Sequence, residues 1–241
     1  MPKAIPTFSP PGLLYGFSNR QSGNMSLSYG DTANSLANRK KFLAGIGIDY
    51  RDLTCAKQVH GFCIRQVLEE DKGSGAKSYE DSIADTDGLI TKVKRLPLAI
   101  FSADCLSIFL YDALAPAIGL VHAGWRSAKK NIVLKAIQLM GLKFNTQAED
   151  LYVYFGPGIR SCCYEVGSEF RQVFPDSLQE RGGHFYLDLA GINKKQLFSL
   201  GVKEDNLFDP CLCTSCKNRD FFSFRKEGSA CGRMLSVIML S

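Results

Sequence analysis

Long apolar runs, basic clusters and the common cofactor signatures are all missing from this 241-residue chain. No window approaches the roughly 20 consecutive apolar residues of a membrane-spanning helix, so no membrane partner is expected. The opening Met1-Pro2-Lys3-Ala4-Ile5-Pro6 runs into proline-rich sequence where a secretory leader would carry an apolar stretch. The formal charge is +5, but lysine and arginine are scattered, and without a basic block no nucleic-acid partner is expected. There is no G-x-G-x-x-G, no G-x-x-x-x-G-K-[ST] and no H-x-E with P-C-x-x-C, which sets aside a dinucleotide fold, a P-loop and the zinc-deaminase signature. Histidine is scarce, with three in the chain.

What is present is ordinary globular composition, 45% hydrophobic and 22% charged, enough for one large domain with a substantial core. Nine cysteines, an odd number spread over a long chain without a leader, point to reduced thiols and a cytoplasmic setting. Short runs at 98–101, 106–111 and 117–121, rich in Ile, Phe, Val and Tyr, read as buried strands, which puts Cys105 and His122 at strand ends. Helical spacing of Ile132, Ala136, Leu139 and Met140 predicts a helix over 128–140, with Ser127 as its N-cap. Further on, 151–155, 185–188, 221–225 and 234–240 read as strands, and 166–174 and 192–200 as helices. The polar stretch 72–82 reads as a surface loop. The expected fold is α+β (mixed α/β): one domain over residues 1–241, with mixed β-sheets flanked by helices.

Three distant segments hold the chemistry: Gln58-Val59-His60-Gly61, Ala103-Asp104-Cys105 and His122-Ala123-Gly124-Trp125-Arg126. His60, Cys105 and His122 together supply two imidazoles and a thiolate, the ligand set of a catalytic zinc site with an open position, although copper could use the same set. The same residues also suit a Cys-His hydrolase with Cys105 as nucleophile. Arg126, in the first turn of the expected helix, makes a seat for phosphate; a solvent-facing Arg on a capped helix is the plainer reading. Cys211, Cys213, Cys216 and Cys231 could form a structural Cys₄ site, but Cys-x-Cys-x-x-Cys is not the doubled C-x₂-C pattern. Cys162-Cys163 reads as a buried apolar pair, since adjacent cysteines rarely share a metal. His184, without an acidic or cysteine neighbour in sequence, reads as a surface histidine.

The chain resembles the purine nucleoside phosphorylase family of the laccase-domain, or polyphenol oxidase, type. The matching motifs are Gln58-Val59-His60-Gly61, Asp87-Gly88-Leu89-Ile90-Thr91, Ala103-Asp104-Cys105-Leu106, His122-Ala123-Gly124-Trp125-Arg126, Gly156-Pro157-Gly158-Ile159 leading to Cys163-Tyr164-Glu165-Val166-Gly167, and Phe221-Phe222-Ser223-Phe224-Arg225 before Gly232-Arg233. Ser107, Ser127 and the Asn19-Arg20…Gly23 segment depart from the family pattern at the pocket rim.

The resemblance implies Zn²⁺ held by His60, Cys105 and His122, and phosphorolysis of adenosine, inosine and S-methyl-5'-thioadenosine to free base and (methylthio)ribose 1-phosphate. Adenosine deamination in the same pocket is also implied. Within that chemistry Arg126 is the candidate for phosphate. Asp104 is the candidate acid/base, or else a partner that fixes a metal-bound imidazole. Trp125 and Phe222 could stack on a purine or fill the core. A copper-dependent polyphenol oxidase is the weaker alternative, because a multicopper site needs a His₂Cys copper and a further imidazole-bound cluster, more than three histidines supply. A nucleoside-binding module without turnover is the non-enzyme alternative.

Overall fold

The structure, a computed structural model, describes residues 12–241; the opening residues 1–6 lie outside the described residues. Its strands are β1 Leu13–Phe17, β2 Thr54–Cys55, β3 Ile64–Gln66, β4 Gly88–Thr91, β5 Leu98–Ser102, β6 Leu106–Asp112, β7 Ala117–Ala123, β8 Leu151–Phe155, β9 Glu165–Val166, β10 Leu178–Arg181, β11 His184–Leu187, β12 Leu207–Phe208 and β13 Met234–Leu240. The α-helices are α1 Thr32–Ala44, α2 Trp125–Lys129, α3 Ile132–Phe144, α4 Phe170–Val173, α5 Leu189–Ser199 and α6 Phe224–Glu227. The fold is mixed α/β, as expected. A six-stranded sheet runs β12-β8-β6-β7-β4-β3, a four-stranded sheet β1-β13-β5-β2 and a three-stranded sheet β10-β11-β9. The two larger sheets are mixed, because β12–β8, β3–β4 and β2–β5 pair in parallel while their other pairs are antiparallel.

The continuous apolar runs follow from stacking of layers. Along β6, Ile108 and Leu110 pack with Ile132, Val133, Ala136 and Met140 of α3 on one face. On the opposite face Phe109 and Tyr111 pack with Leu98, Ile100, Ile238 and Leu240 of the four-stranded sheet. That second sheet is itself covered on its far side, where Ala99, Leu235, Val237 and Met239 meet Leu43 of α1 and Met25. A strand with both faces buried loses the polar–apolar alternation of a half-exposed strand, so β6, β7 and β13 are buried at every position. Asp112 closes the β6–β7 hairpin, its Oδ1 accepting the amides of Leu114 and Ala115 at 2.9 Å each.

Several local expectations are corrected. The helix expected over 128–140 is two helices, split by Asn131 in the left-handed region (φ 57°). The residue capping the first of them is Gly124; Ser127 lies inside α2, its hydroxyl buried with no partner among the described residues. Only Phe170–Val173 of 166–174 is helical, because Val166 is drawn into pairing with Phe185. Residues 221–225 form no strand: Phe221 and Phe222 bury their rings with Cys231 and Met234 from a loop that leads into α6. The strand expected at 185–188 ends at Leu187, and Asp188 caps α5 by accepting the amide of Gly191 at 2.9 Å. Stretch 72–82 has no helix or strand, yet it is anchored inward, since the buried Arg39 donates to the carbonyls of Gly75 and Ala76 at 2.9 and 3.0 Å.

Candidate functional site

Cys105 immediately precedes β6, and His122 is the penultimate residue of the neighbouring β7, opposite Ser107 in the antiparallel register. The hairpin therefore brings both to one end of the sheet. His60 arrives on a loop after β2 with its backbone in the left-handed region (φ 57°). What holds that strained loop is Asp87, a fully buried residue just before β4. Its carboxylate accepts the amides of Val59, His60 and Gly61 at 3.2, 3.0 and 2.6 Å, and the Nδ1 of His122 at 2.8 Å. One side chain thus fixes both histidines.

Burial works against the Asp87 charge, but the His122 imidazole and the loop amides outweigh it and hold its carboxyl below the ordinary range. An ionised Asp87 can only accept, so Nδ1 of His122 carries the proton and Nε2 is the nitrogen left to act. Burial likewise would raise the Cys105 thiol, yet the charge and hydrogen bonds of His122, with His60 adding to them, bring it down to about 6. His122 is raised to about 9 in return, burial being outweighed by the Cys105 thiolate and Asp87. With no metal between them the two groups favour each other's charged forms, and a cation bound by the thiolate and Nε2 would take the place of the Nε2 proton. The His60 and His122 rings lie edge to face at 4.9 Å between centroids.

The donor atoms of His60, Cys105 and His122 lie within 4.8 Å of one another. Zinc bonds of about 2.0–2.3 Å in tetrahedral geometry separate ligand atoms by roughly 3.3–3.8 Å, a spacing inside that limit. The space is kept clear by Gly124, where a Cβ would come within 2.9 Å of the Cys105 sulfur and 3.4 Å of the His60 ring. These residues fit a divalent metal with nitrogen and sulfur preference.

The set opens into a cleft of about 510 Å³, within the range of roughly 300–1,000 Å³ usual for small-molecule sites. Among the described lining residues Arg39, Arg126, Arg225 and Arg233 are cationic and Asp104 is the one acid, so the wall favours an anion. Arg39 is committed to carbonyls, and Arg225 donates to the Glu165 carbonyl at 2.8 Å. Arg126 is exposed, its guanidinium 4.5 Å from the Trp125 ring centroid, with no ion pair among the described residues. The five-residue α2 is too short to bring a strong dipole to the site; the anion-favouring group there is the Arg126 side chain.

Asp104 has its own commitments. Its Oδ1 accepts the Thr214 hydroxyl at 2.6 Å and its Oδ2 the Arg225 amide at 2.7 Å. The carboxylate that fixes a site histidine is Asp87, which sequence reasoning placed in a motif without giving it a role. Its signal was faint: an acid heading an otherwise apolar strand. Tyr164, another lining residue missed, has its hydroxyl pushed up by burial. Trp125 lines the cleft, edge-on to Phe170, whereas Phe222 lies beneath the Arg20 guanidinium in a separate core cluster.

The cysteine expectations need revision. Cys162 and Cys163 are not a buried pair: Cys162 is exposed, and both lie against Cys216. Cys211 and Cys231 are not part of that group; Cys231 is buried and its thiol donates to the Gly232 carbonyl at 3.2 Å and toward Glu227. His184 is on the surface as expected, but it has an acidic neighbour, Glu165, 2.7 Å from its Nδ1.

Comparison with known proteins agrees with this geometry. Residues 14–241 match the family described as multi-copper polyphenol oxidoreductase laccase. "Purine nucleoside phosphorylase YlmD" of Geobacillus stearothermophilus is 32% identical over 225 residues, covering 89% of this chain and 82% of that protein. The crystal structure of YlmD from the same organism superposes with a TM-score of 0.91 at 30% identity, covering 95% of this chain and 92% of that one. "Adenosine deaminase RL5", from an unknown prokaryotic organism, is 26% identical over 231 residues, 91% of this chain and 88% of that protein. The match runs through the His60 loop, the β6–β7 hairpin and the closing strand β13 alike, and the chain belongs to the laccase-type family that includes purine nucleoside phosphorylases.

Proposed function

We propose that this chain is a zinc-dependent purine nucleoside phosphorylase with adenosine deaminase side activity. The observation that carries the reading is the convergence of His60, Cys105 and His122 at the floor of an arginine-walled cleft. Phosphorolysis needs an anion placed against the anomeric carbon and a group that assists the departing purine. Arg126 binds and orients the phosphate. Asp104, held by Thr214 and the Arg225 amide, moves the proton. Asp87 keeps His122 in the tautomer that presents Nε2. When bound, zinc supplies Lewis acidity, polarising a substrate oxygen and lowering the pKa of water. The odd number of cysteines, nine, supports a reducing, cytoplasmic setting, and we place residues 1–241 in one domain.

The family description names copper, but only two of the three histidines converge, with the third exposed on β11. Two imidazoles cannot furnish both a His₂Cys copper and a further cluster, which supports zinc over oxidase chemistry. One observation favours a second reading: Cys105, His122 and Asp87 form a Cys-His-Asp chain of the kind a thiol hydrolase uses.

The decisive experiment is incubation with adenosine, inosine and S-methyl-5'-thioadenosine, with and without phosphate, with products identified by chromatography. Phosphate-dependent release of base and ribose 1-phosphate is expected, with inosine formed from adenosine independently of phosphate. Absence of all these products would reject the nucleoside assignment. Chelation should abolish turnover and zinc restore it; full activity in metal-free protein would instead favour the Cys105 thiolate mechanism.

A further inference from the structure

We propose that Cys162, Cys163, Cys213 and Cys216 form a second metal centre, a tetrathiolate zinc site stapling together two loops behind the cleft. All four sulfurs lie within 4.8 Å of one another. The Cys216 sulfur lies 3.3 Å from that of Cys163 and 3.4 Å from that of Cys162. A disulfide would require about 2.05 Å. Zinc bonded to four sulfurs at about 2.3 Å sets them roughly 3.8 Å apart in a tetrahedron, a spacing that lies within the 4.8 Å limit of this group and a few tenths of an ångström above the two Cys216 separations. Hydrophobic packing does not explain the gathering, because Cys162 and Cys216 are exposed and Cys163 is half-buried; only Cys213 is buried.

One of the four sulfurs is already held in place by backbone donors. Cys213 and Cys216 have the C-x-x-C spacing, and the backbone amides of Cys216 and Arg160 donate to the Cys213 sulfur. Such amides stabilise a thiolate and fix its direction. Loading the site displaces the thiol protons of the four cysteines to solvent and leaves a Zn(Cys)₄ centre of net charge −2, because four thiolates outweigh the ion. Positive charge stands beside it: the Arg181 guanidinium donates to the Ser161 carbonyl, next to Cys162, and Lys217 follows Cys216.

The two loops already meet through backbone bonds, Gly158 donating to the Leu212 carbonyl at 3.1 Å and Thr214 to the Gly158 carbonyl at 3.2 Å. Ile159 and Tyr164 of the first loop line the cleft, and Thr214 of the second holds Asp104. A metal clip there makes the cleft wall rigid without touching substrate. The centre is independent of the ion proposed for His60, Cys105 and His122.

The test is titration of metal-free, fully reduced protein with Co²⁺ and Zn²⁺, read by absorption spectroscopy and elemental analysis. Wild-type protein is expected to bind two equivalents, one with the intense sulfur-to-cobalt charge transfer of a tetrathiolate. The His60→Ala/Cys105→Ser variant should keep that tetrathiolate band, which it would do even if the cleft metal proved absent. The Cys162→Ser/Cys216→Ser variant, altered at two exposed positions, should lose the band and one equivalent. Wild-type protein lacking a tetrathiolate band, or the cysteine variant retaining wild-type stoichiometry, would overturn the proposal. So would a disulfide within the four-cysteine group, located by peptide mapping of protein purified without reductant, since that places a covalent bond where the metal should sit.

Discussion

Asp87 is the residue on which the most contacts of the site converge, and its replacement separates geometry from charge. Asp87→Asn keeps an acceptor for the loop amides but cannot enforce a proton on Nδ1 of His122. Zinc affinity in the cleft should fall by roughly 10–100-fold, the usual penalty for losing a ligand's hydrogen-bonding partner; a competitive chelator titration reads this directly. Asp104→Asn tests the other acid. If Asp104 moves a proton, kcat drops by about 10²-fold or more with KM nearly unchanged, and one limb of the pH profile disappears. A loss of thermal stability alone, with the profile intact, would leave it only the clamping of Thr214 and the Arg225 amide. The three candidate ligands His60, Cys105 and His122 could be picked out in the sequence because imidazole and thiolate are recognisable by type, and the fold brings their donor atoms together. Asp87 was not, because its partners lie 26–35 residues away in the chain and an acid before an apolar strand has no signature of its own. The same blindness affected Cys162 and Cys163, whose partner Cys216 is 54 and 53 residues on.

Among the elements, α6 offers a pH test. Glu227, at its end, accepts from Arg20, Asn218 and the Ser223 amide. Partial burial would raise its carboxyl, but these donors, Arg20 foremost, hold it at about 2 in place of 4.5. A depressed pKa means the folded state binds its proton less readily than the unfolded chain. The stabilisation is therefore complete above pH 4.5 and is lost as pH falls from 4.5 through about 2. Glu227→Gln should remove on the order of 2 kcal/mol at neutral pH, discounted for partial exposure, and flatten the acid limb of stability in that window. Urea unfolding from pH 2 to 7 measures it. Element reading from sequence succeeded for 98–101, 106–111, 117–121, 151–155 and 234–240, where double-sided burial leaves mostly apolar runs without polar–apolar alternation. It failed for 221–225, where the same apolarity serves a loop whose rings are buried without strand pairing. The break at Asn131 also escaped, since helical spacing continues across a single left-handed residue.

For the molecule as a whole, stability rests on the stacked layers. Phe155, fully buried at the end of β8, packs in the cluster shared by α3 and the six-stranded sheet. Phe155→Ala should cost about 3–5 kcal/mol in equilibrium unfolding, a large share of the total for a domain of this size. A cost under about 1 kcal/mol would mean that the cluster repacks freely. Composition and periodicity indicated mixed sheets with flanking helices. They gave no account of which strands share a sheet, because that depends on pairings such as Leu13 with Leu240, between opposite ends of the chain.

That last pairing has a consequence for biosynthesis. Strand β13 lies between β1 and β5, not at the sheet's edge, so a nascent chain lacking residues 234–240 holds two strand edges with an empty lane between them. The lane fills only after those residues leave the ribosome's exit tunnel. Until then the hydrogen-bonding edges of β1 and β5 that β13 pairs with lack their partner, and a nascent chain stalled before that point presents a docking edge for holdase chaperones or for other unfinished copies.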